Sequence, residues 1–122
     1  APDEVGEGAG TGTTVNLALP PGAAGDTYRY ALDAVVVPVV ERFAPDWLLV
    51  SAGFDAHRSD PLAQLGLTAG DFADLTSRLV GLVPTGRSIL FLEGGYDLEA
   101  LAAASGAAVA AAVAADAEYF LA

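Results

Sequence analysis

Two short apolar runs, Trp47–Ala52 and Ser88–Leu92, constrain this chain more than any other feature. Each is of strand length and rich in branched aliphatics. Each also follows a turn signal, Pro45-Asp46 for the first and Gly86 for the second. Runs of this kind read as buried strands. Between them, Thr68 followed by Asp71 reads as a capping-box variant. Phe72, Leu75, Leu79 and Leu82 then recur at helical spacing. A strand, a helix and a second strand in this order imply a parallel pair with a right-handed crossover. Both runs end beside a glycine and a carboxylate: Gly53 then Asp55, and Glu93 then Gly94, Gly95 and Tyr96. Ligands of open α/β sheets bind outside the carboxyl ends of the strands. The expectation is therefore that Asp55 and Tyr96 face one pocket.

The flanking segments extend the pattern. Residues 1–13 are acidic and glycine-rich, and Gly6, Gly8, Gly10 and Gly12 have the wrong spacing for a dinucleotide fingerprint. Tight turns account for them better. Thr14–Leu19 reads as a strand ended by Pro20-Pro21-Gly22. Asp26 is a candidate N-cap for a helix running to about Phe43, with its apolar stripe at Leu32, Val35, Val36, Val39, Val40 and Phe43. Pro38 inside that run predicts a kink. The last helix begins near Asp97, which reads as its cap, and runs through the alanines, whose small side chains would let it lie close against a sheet. The order β-α-β-α-β-α predicts an α/β fold with a parallel sheet covered by helices, in one domain over residues 1–122.

With 122 residues and no cysteine, disulfides and thiolate metal sites are excluded, leaving Asp and His as the metal ligands to consider. A net charge of −11 argues against a nucleic-acid partner, which requires a basic face. It suits a cationic substrate, and it equally serves solubility. The chain does not begin with Met, so the sequence reads either as processed or as a piece of something longer. The opening residues lack the basic and apolar pattern of a signal peptide. Ala100–Ala115 is shorter than the ~20 apolar residues that span a bilayer. It reads as a buried helix, with no membrane partner and a cytoplasmic location.

Taken singly, the candidate residues are ambiguous. Asp55 reads as a turn-forming aspartate or as a ligand. His57 and Asp55 could point to the same side of an extended segment. A metal site needs three or four donors, however, and no second histidine exists. His57 is therefore a loop or pocket-rim residue. Asp60-Pro61 reads as a turn anchor. Glu93 reads as a buried acid or as a carboxylate satisfied by loop amides. Tyr96 would ordinarily be a packed aromatic, but Gly94 and Gly95 before it allow close approach to a ligand. No Gly-x-Ser-x-Gly elbow surrounds any serine.

As a set these residues carry a resemblance. The segment Ser51-Ala52-Gly53-Phe54-Asp55-Ala56-His57-Arg58-Ser59-Asp60-Pro61-Leu62 is followed by Gly66-Leu67-Thr68 and then by Leu92-Glu93-Gly94-Gly95-Tyr96. Together these resemble the zinc-dependent histone deacetylase family, closest to bacterial members such as acetylpolyamine amidohydrolases and acetoin-utilisation proteins. Gly6-Glu7-Gly8-Ala9-Gly10, Asn16-Leu17 and Leu19-Pro20 are similar as well. The resemblance implies an arginase/deacetylase-type parallel sheet with helices on both faces. It also implies that Asp55 binds Zn2+, that Tyr96 donates to the substrate carbonyl, and that Gly94, Gly95 and Phe54 border the substrate pocket. The expected substrate is an acetylated amine or acetyl-lysine.

The family's paired histidines and its Asp-x-His ligands would lie upstream of these residues. The chain thus resembles the C-terminal portion of a deacetylase domain, inactive by itself. In the family's sheet the strands matching Trp47–Ala52 and Ser88–Leu92 are adjacent, while the one matching Thr14–Leu19 is separated from them by strands this chain lacks. The expected partner is the missing N-terminal half, with self-association as the substitute. The alternative is a non-catalytic, truncated deacetylase-like interaction module. An unrelated doubly wound binding domain would need a phosphate-binding glycine loop at a helix start, and none is found.

Overall fold

The computed structural model describes residues 1–121, with side chains described through residue 117. Its sheet consists of β1 (Leu48–Ala52) and β2 (Ser88–Leu92), paired in parallel from Leu48 with Ser88 to Ala52 with Leu92. Both strands therefore end at the same level, and the loops that follow them leave the sheet side by side. Side chains alternate as the pleat requires. Leu48, Val50, Ala52, Ser88 and Leu90 are half-buried on one face, while Leu49, Ser51, Ile89 and Phe91 are exposed on the other. Among the described residues this is a two-stranded α/β sheet with one covered face.

Thr14–Leu19, expected as a strand, is not one. An extended segment becomes a strand only where a neighbour completes its ladder, and among the described residues no strand runs beside it. The first helical stretch is divided into α1 (Gly25–Ala31), a π-helical segment (Leu32–Val36) and α2 (Val37–Phe43). The expected disturbance at Pro38 takes the form of that π segment. Proline has no N–H and crowds the carbonyl four residues back, at Ala34, and a wider turn absorbs the misfit. Asp26 is not the N-cap: Ala24 holds that position without a side-chain bond. Asp26 lies in the first turn, accepting the Thr27 amide at 2.8 Å, where the helix dipole favours a negative charge.

The caps of the two later helices follow the expectation. Ahead of α3 (Ala69–Val80), Thr68 Oγ1 accepts the Asp71 amide at 3.2 Å and Asp71 Oδ2 accepts the Thr68 amide at 2.9 Å. Arg29 of α1 also donates to Asp71 at 3.0 Å, tying α1 to α3. Asp97 accepts the Ala100 amide at 2.7 Å at the start of α4 (Leu98–Leu121).

The alanines bring α4 against α3 rather than against the sheet. Ala100, Ala104 and Ala108, recurring every fourth residue, form its buried stripe. Through residue 117 the rest of the helix is half-buried or exposed, with Val113 63% exposed, so over its described side chains α4 buries one stripe and is not the buried helix expected. By length and apolarity alone, Leu98–Ala117 would suffice to cross a membrane. Ala104 and Ala108 join Phe54, Leu67 and Phe72 in the core, directly behind the loop that follows β1.

Candidate functional site

The site begins where the sheet stops. Two main-chain hydrogen bonds fasten the loop after β1 to the loop after β2: Glu93 N–H to Ala52 O at 3.1 Å, and Phe54 N–H to Gly94 O at 2.7 Å. The Phe54 ring turns away into the core, 5.1 Å from the Phe72 ring, and is 6% exposed. Expected beside substrate, Phe54 therefore presents little ring surface to one; its amide is what holds the Gly94 loop. Gly95 has φ +146°, and a Cβ there would stand 2.9 Å from Leu101 Cδ1 and 3.3 Å from Phe54 Cβ. Only glycine accommodates that combination of backbone and neighbours.

This arrangement brings Asp55 and Tyr96 together. The position that a Cβ on Gly94 would occupy lies 3.0 Å from Asp55 Oδ2 and 3.4 Å from the Tyr96 hydroxyl. The two oxygens can be no farther apart than the sum of those distances. Asp55 is half-buried, and Tyr96 is 57% exposed. Asp60, Asp71 and Asp97 accept amide hydrogen bonds, whereas Asp55 accepts none from a described residue. A half-buried carboxylate without a donor, next to a phenolic O–H, can accept from a ligand or coordinate a cation while the phenol donates to a neighbouring oxygen.

A cavity of about 590 Å³ lies behind the loop, bordered by Gly53, Phe54, Ala56, Leu17, Tyr28 and Leu75 among others, but not by Asp55 or Tyr96. The pair lies outside it, beside Gly94. Tyr28, on the cavity wall, belongs to no sequence motif, and its helix position alone suggests only packing. Burial, and then the charge of Asp55, push its hydroxyl above the ordinary tyrosine range.

His57 is a loop residue, as expected. Its ring lies nearly parallel to Phe72 at 6.5 Å, and Nδ1 accepts the Ser59 amide at 3.2 Å. Glu93 is neither a buried acid nor one satisfied by loop amides; its side chain is exposed. Asp60 is more than the anchor of its own turn. It accepts the Leu62 and Ala63 amides at 2.8 and 3.3 Å, and the Tyr96 amide at 2.8 Å. Burial pushes its carboxyl up, but amide donors from Leu62, Tyr96, Ala63 and Asp97 prevail and hold it below the ordinary carboxylate range. Among the described residues no group of three His, Cys, Asp or Glu could hold a metal ion. One carboxylate does not make a zinc site, so these residues do not fit zinc by themselves.

The family model for the histone deacetylase domain matches residues 1–112. Histone deacetylase 10, chloroplastic, of Oryza sativa subsp. japonica is 50% identical over 101 residues, a match covering 80% of this chain and 23% of that protein. A probable deacetylase of Archaeoglobus fulgidus is 42% identical over 101 residues, covering 80% of this chain and 28% of its own length. The crystal structure of the HDA15 HD domain superposes with a TM-score of 0.89 at 35% identity, over 94% of this chain and 33% of that one. The structure of the histone deacetylase Clr3 gives 0.86 at 37% identity, over 90% of this chain and 18% of that one. The chain thus spans about a quarter of the length of the curated relatives it matches.

Proposed function

This chain belongs to the histone deacetylase domain family, and from that premise we propose that it is the C-terminal part of an amidohydrolase that cleaves acetyl-amide bonds. The substrate class is an acetylated amine, either acetyl-lysine or an acetylpolyamine. The observation that carries the reading is the approach of Asp55 Oδ2 and the Tyr96 hydroxyl to one point beside Gly94.

In this reading the Tyr96 phenol donates its proton in a hydrogen bond to the amide oxygen as that oxygen gains negative charge. Such a donor lowers the barrier because its bond strengthens only as the charge develops. Gly94 and Gly95 let the substrate come up to the backbone, and the absence of a side chain at Gly94 leaves both oxygens uncovered. Asp55 offers a free carboxylate on the same side, one donor toward a Zn2+ site. The remaining donors must come from outside the described residues, so zinc is a cofactor of the complete domain and the isolated chain is inactive.

Tyr96→Phe tests the reading in a polypeptide that carries this chain within a complete deacetylase domain. Loss of an oxyanion donor is worth ~3 kcal/mol, so kcat should fall by about two to three orders of magnitude. Turnover within about threefold of the parent would remove Tyr96 from the chemistry. A second reading, a non-catalytic interaction module, draws on the exposed apolar sheet face at Leu49, Ile89 and Phe91. The coding sequence upstream of Ala1 decides between them. Paired histidines and an Asp-x-His there support the enzyme, and a native start immediately before Ala1 supports the module.

A further inference from the structure

We propose that Asp60 is a positioning residue for Tyr96: its carboxylate ties the loop after β1 to the Tyr96 amide and so sets where the phenol stands relative to Asp55. The inference rests on the deacetylase reading above and adds a residue to it. Asp60 is the one buried charged residue among the described residues, at 8% exposure. A buried carboxylate is costly unless its oxygens are hydrogen-bonded, and here both are engaged. Oδ1 accepts the Leu62 and Ala63 amides and so fixes the carboxylate within its own turn. Oδ2 reaches a residue 36 positions along the chain, the Tyr96 amide, at 2.8 Å. A turn anchor would need only the first of these.

Tyr96 has little else to hold it. Its residue is more than half exposed. The two residues before it have no side chains, and Gly95 sits at φ +146°. The bond to Asp60 joins an ionised acceptor to an N–H, a stronger class than a neutral pair. The phenol extends from the backbone that this bond fixes, so movement of that amide carries the hydroxyl away from the Gly94 position it now shares with Asp55.

The test uses a complete domain carrying this chain. Asp60→Asn replaces one acceptor oxygen with an amide that cannot accept, leaving one of the two arms facing a donor with a donor. The expected result is a fall in kcat on the order of tenfold to a hundredfold with KM within about twofold, because misplacement of a group used in the transition state acts on kcat. In a Tyr96→Phe background, Asp60→Asn should add less than about twofold, since the group it positions is already gone. The same loss in both backgrounds would mean that Asp60 only supports the fold, and the proposal would be overturned.

Hydrogen exchange at the Tyr96 amide of the unsubstituted protein needs no variant and no substrate. Protection well beyond a free loop amide is expected, and free exchange overturns the proposal even if Asp60→Asn does not fold. A Tyr96→Phe enzyme of undiminished turnover would instead overturn the proposed function. The exchange measurement keeps the two failures apart.

Discussion

Asp71 closes the capping box of α3 and receives Arg29 from α1. Burial pushes its carboxyl up, but the Thr68 amide and hydroxyl and the Arg29 guanidinium outweigh burial and hold it below the ordinary carboxylate range. A carboxyl depressed in the folded state stabilises above its unfolded value of ~3.9, and the contribution is lost as pH falls through the lower folded value. Thermal unfolding of a complete domain should therefore move to lower temperature as pH drops from about 5 toward 3, and Asp71→Asn should flatten that dependence. An equal slope in both proteins would place the acid sensitivity elsewhere. Cap roles were legible in the sequence where the acceptor lies within one turn of its amide: Thr68, Asp71 and Asp97 fulfil their expected parts, whereas Asp26 lies in the first turn of α1, behind Ala24, instead of capping that helix. The bond from Asp60 to Tyr96 was not legible, since nothing in a turn motif indicates an acceptor for an amide 36 residues away. Nor was the inward turn of the Phe54 ring, because a residue between a strand end and a loop carries no periodicity to say which way it faces.

The elements divide in the same way. Both observed strands were legible as apolar runs, but neither is buried as expected: one face of the pair is half-covered and the other is exposed among the described residues. Thr14–Leu19 carries a similar pattern and forms no strand, because pairing depends on a neighbour that local sequence does not specify. The π segment likewise depends on how the turn ahead of Pro38 absorbs the ring, which periodicity cannot distinguish from a simple kink. For α4, the small alanine side chains would permit close approach to a sheet, and in the structure they serve instead to approach α3. Ala104, at 0% exposure, marks the tightest point. Ala104→Leu should destabilise a complete domain by about 1–3 kcal/mol through overpacking, measured by urea denaturation. An unchanged midpoint would show that the two helices can part without cost.

At the scale of the molecule, the one bare face of the sheet governs behaviour. Leu49, Ile89 and Phe91 are exposed there, as are Leu92 at the strand end and Trp47 and Phe43 nearby. Exposed apolar surface beside unpaired strand edges promotes association. The chain produced alone should self-associate with increasing concentration in analytical ultracentrifugation and retain no stoichiometric zinc by elemental analysis. A polypeptide supplying the rest of a deacetylase domain should do neither. A lone chain that stays monomeric and binds zinc would contradict the proposed division of the site. Within that larger assembly, the three ties across the two loops differ in heritability. Two of them, Glu93 to Ala52 and Phe54 to Gly94, join main-chain atoms and are indifferent to which side chains a gene encodes. The third, Asp60 to Tyr96, is written in a codon, so among these ties it is the one that a point mutation cuts directly while leaving both strands and every main-chain bond in place.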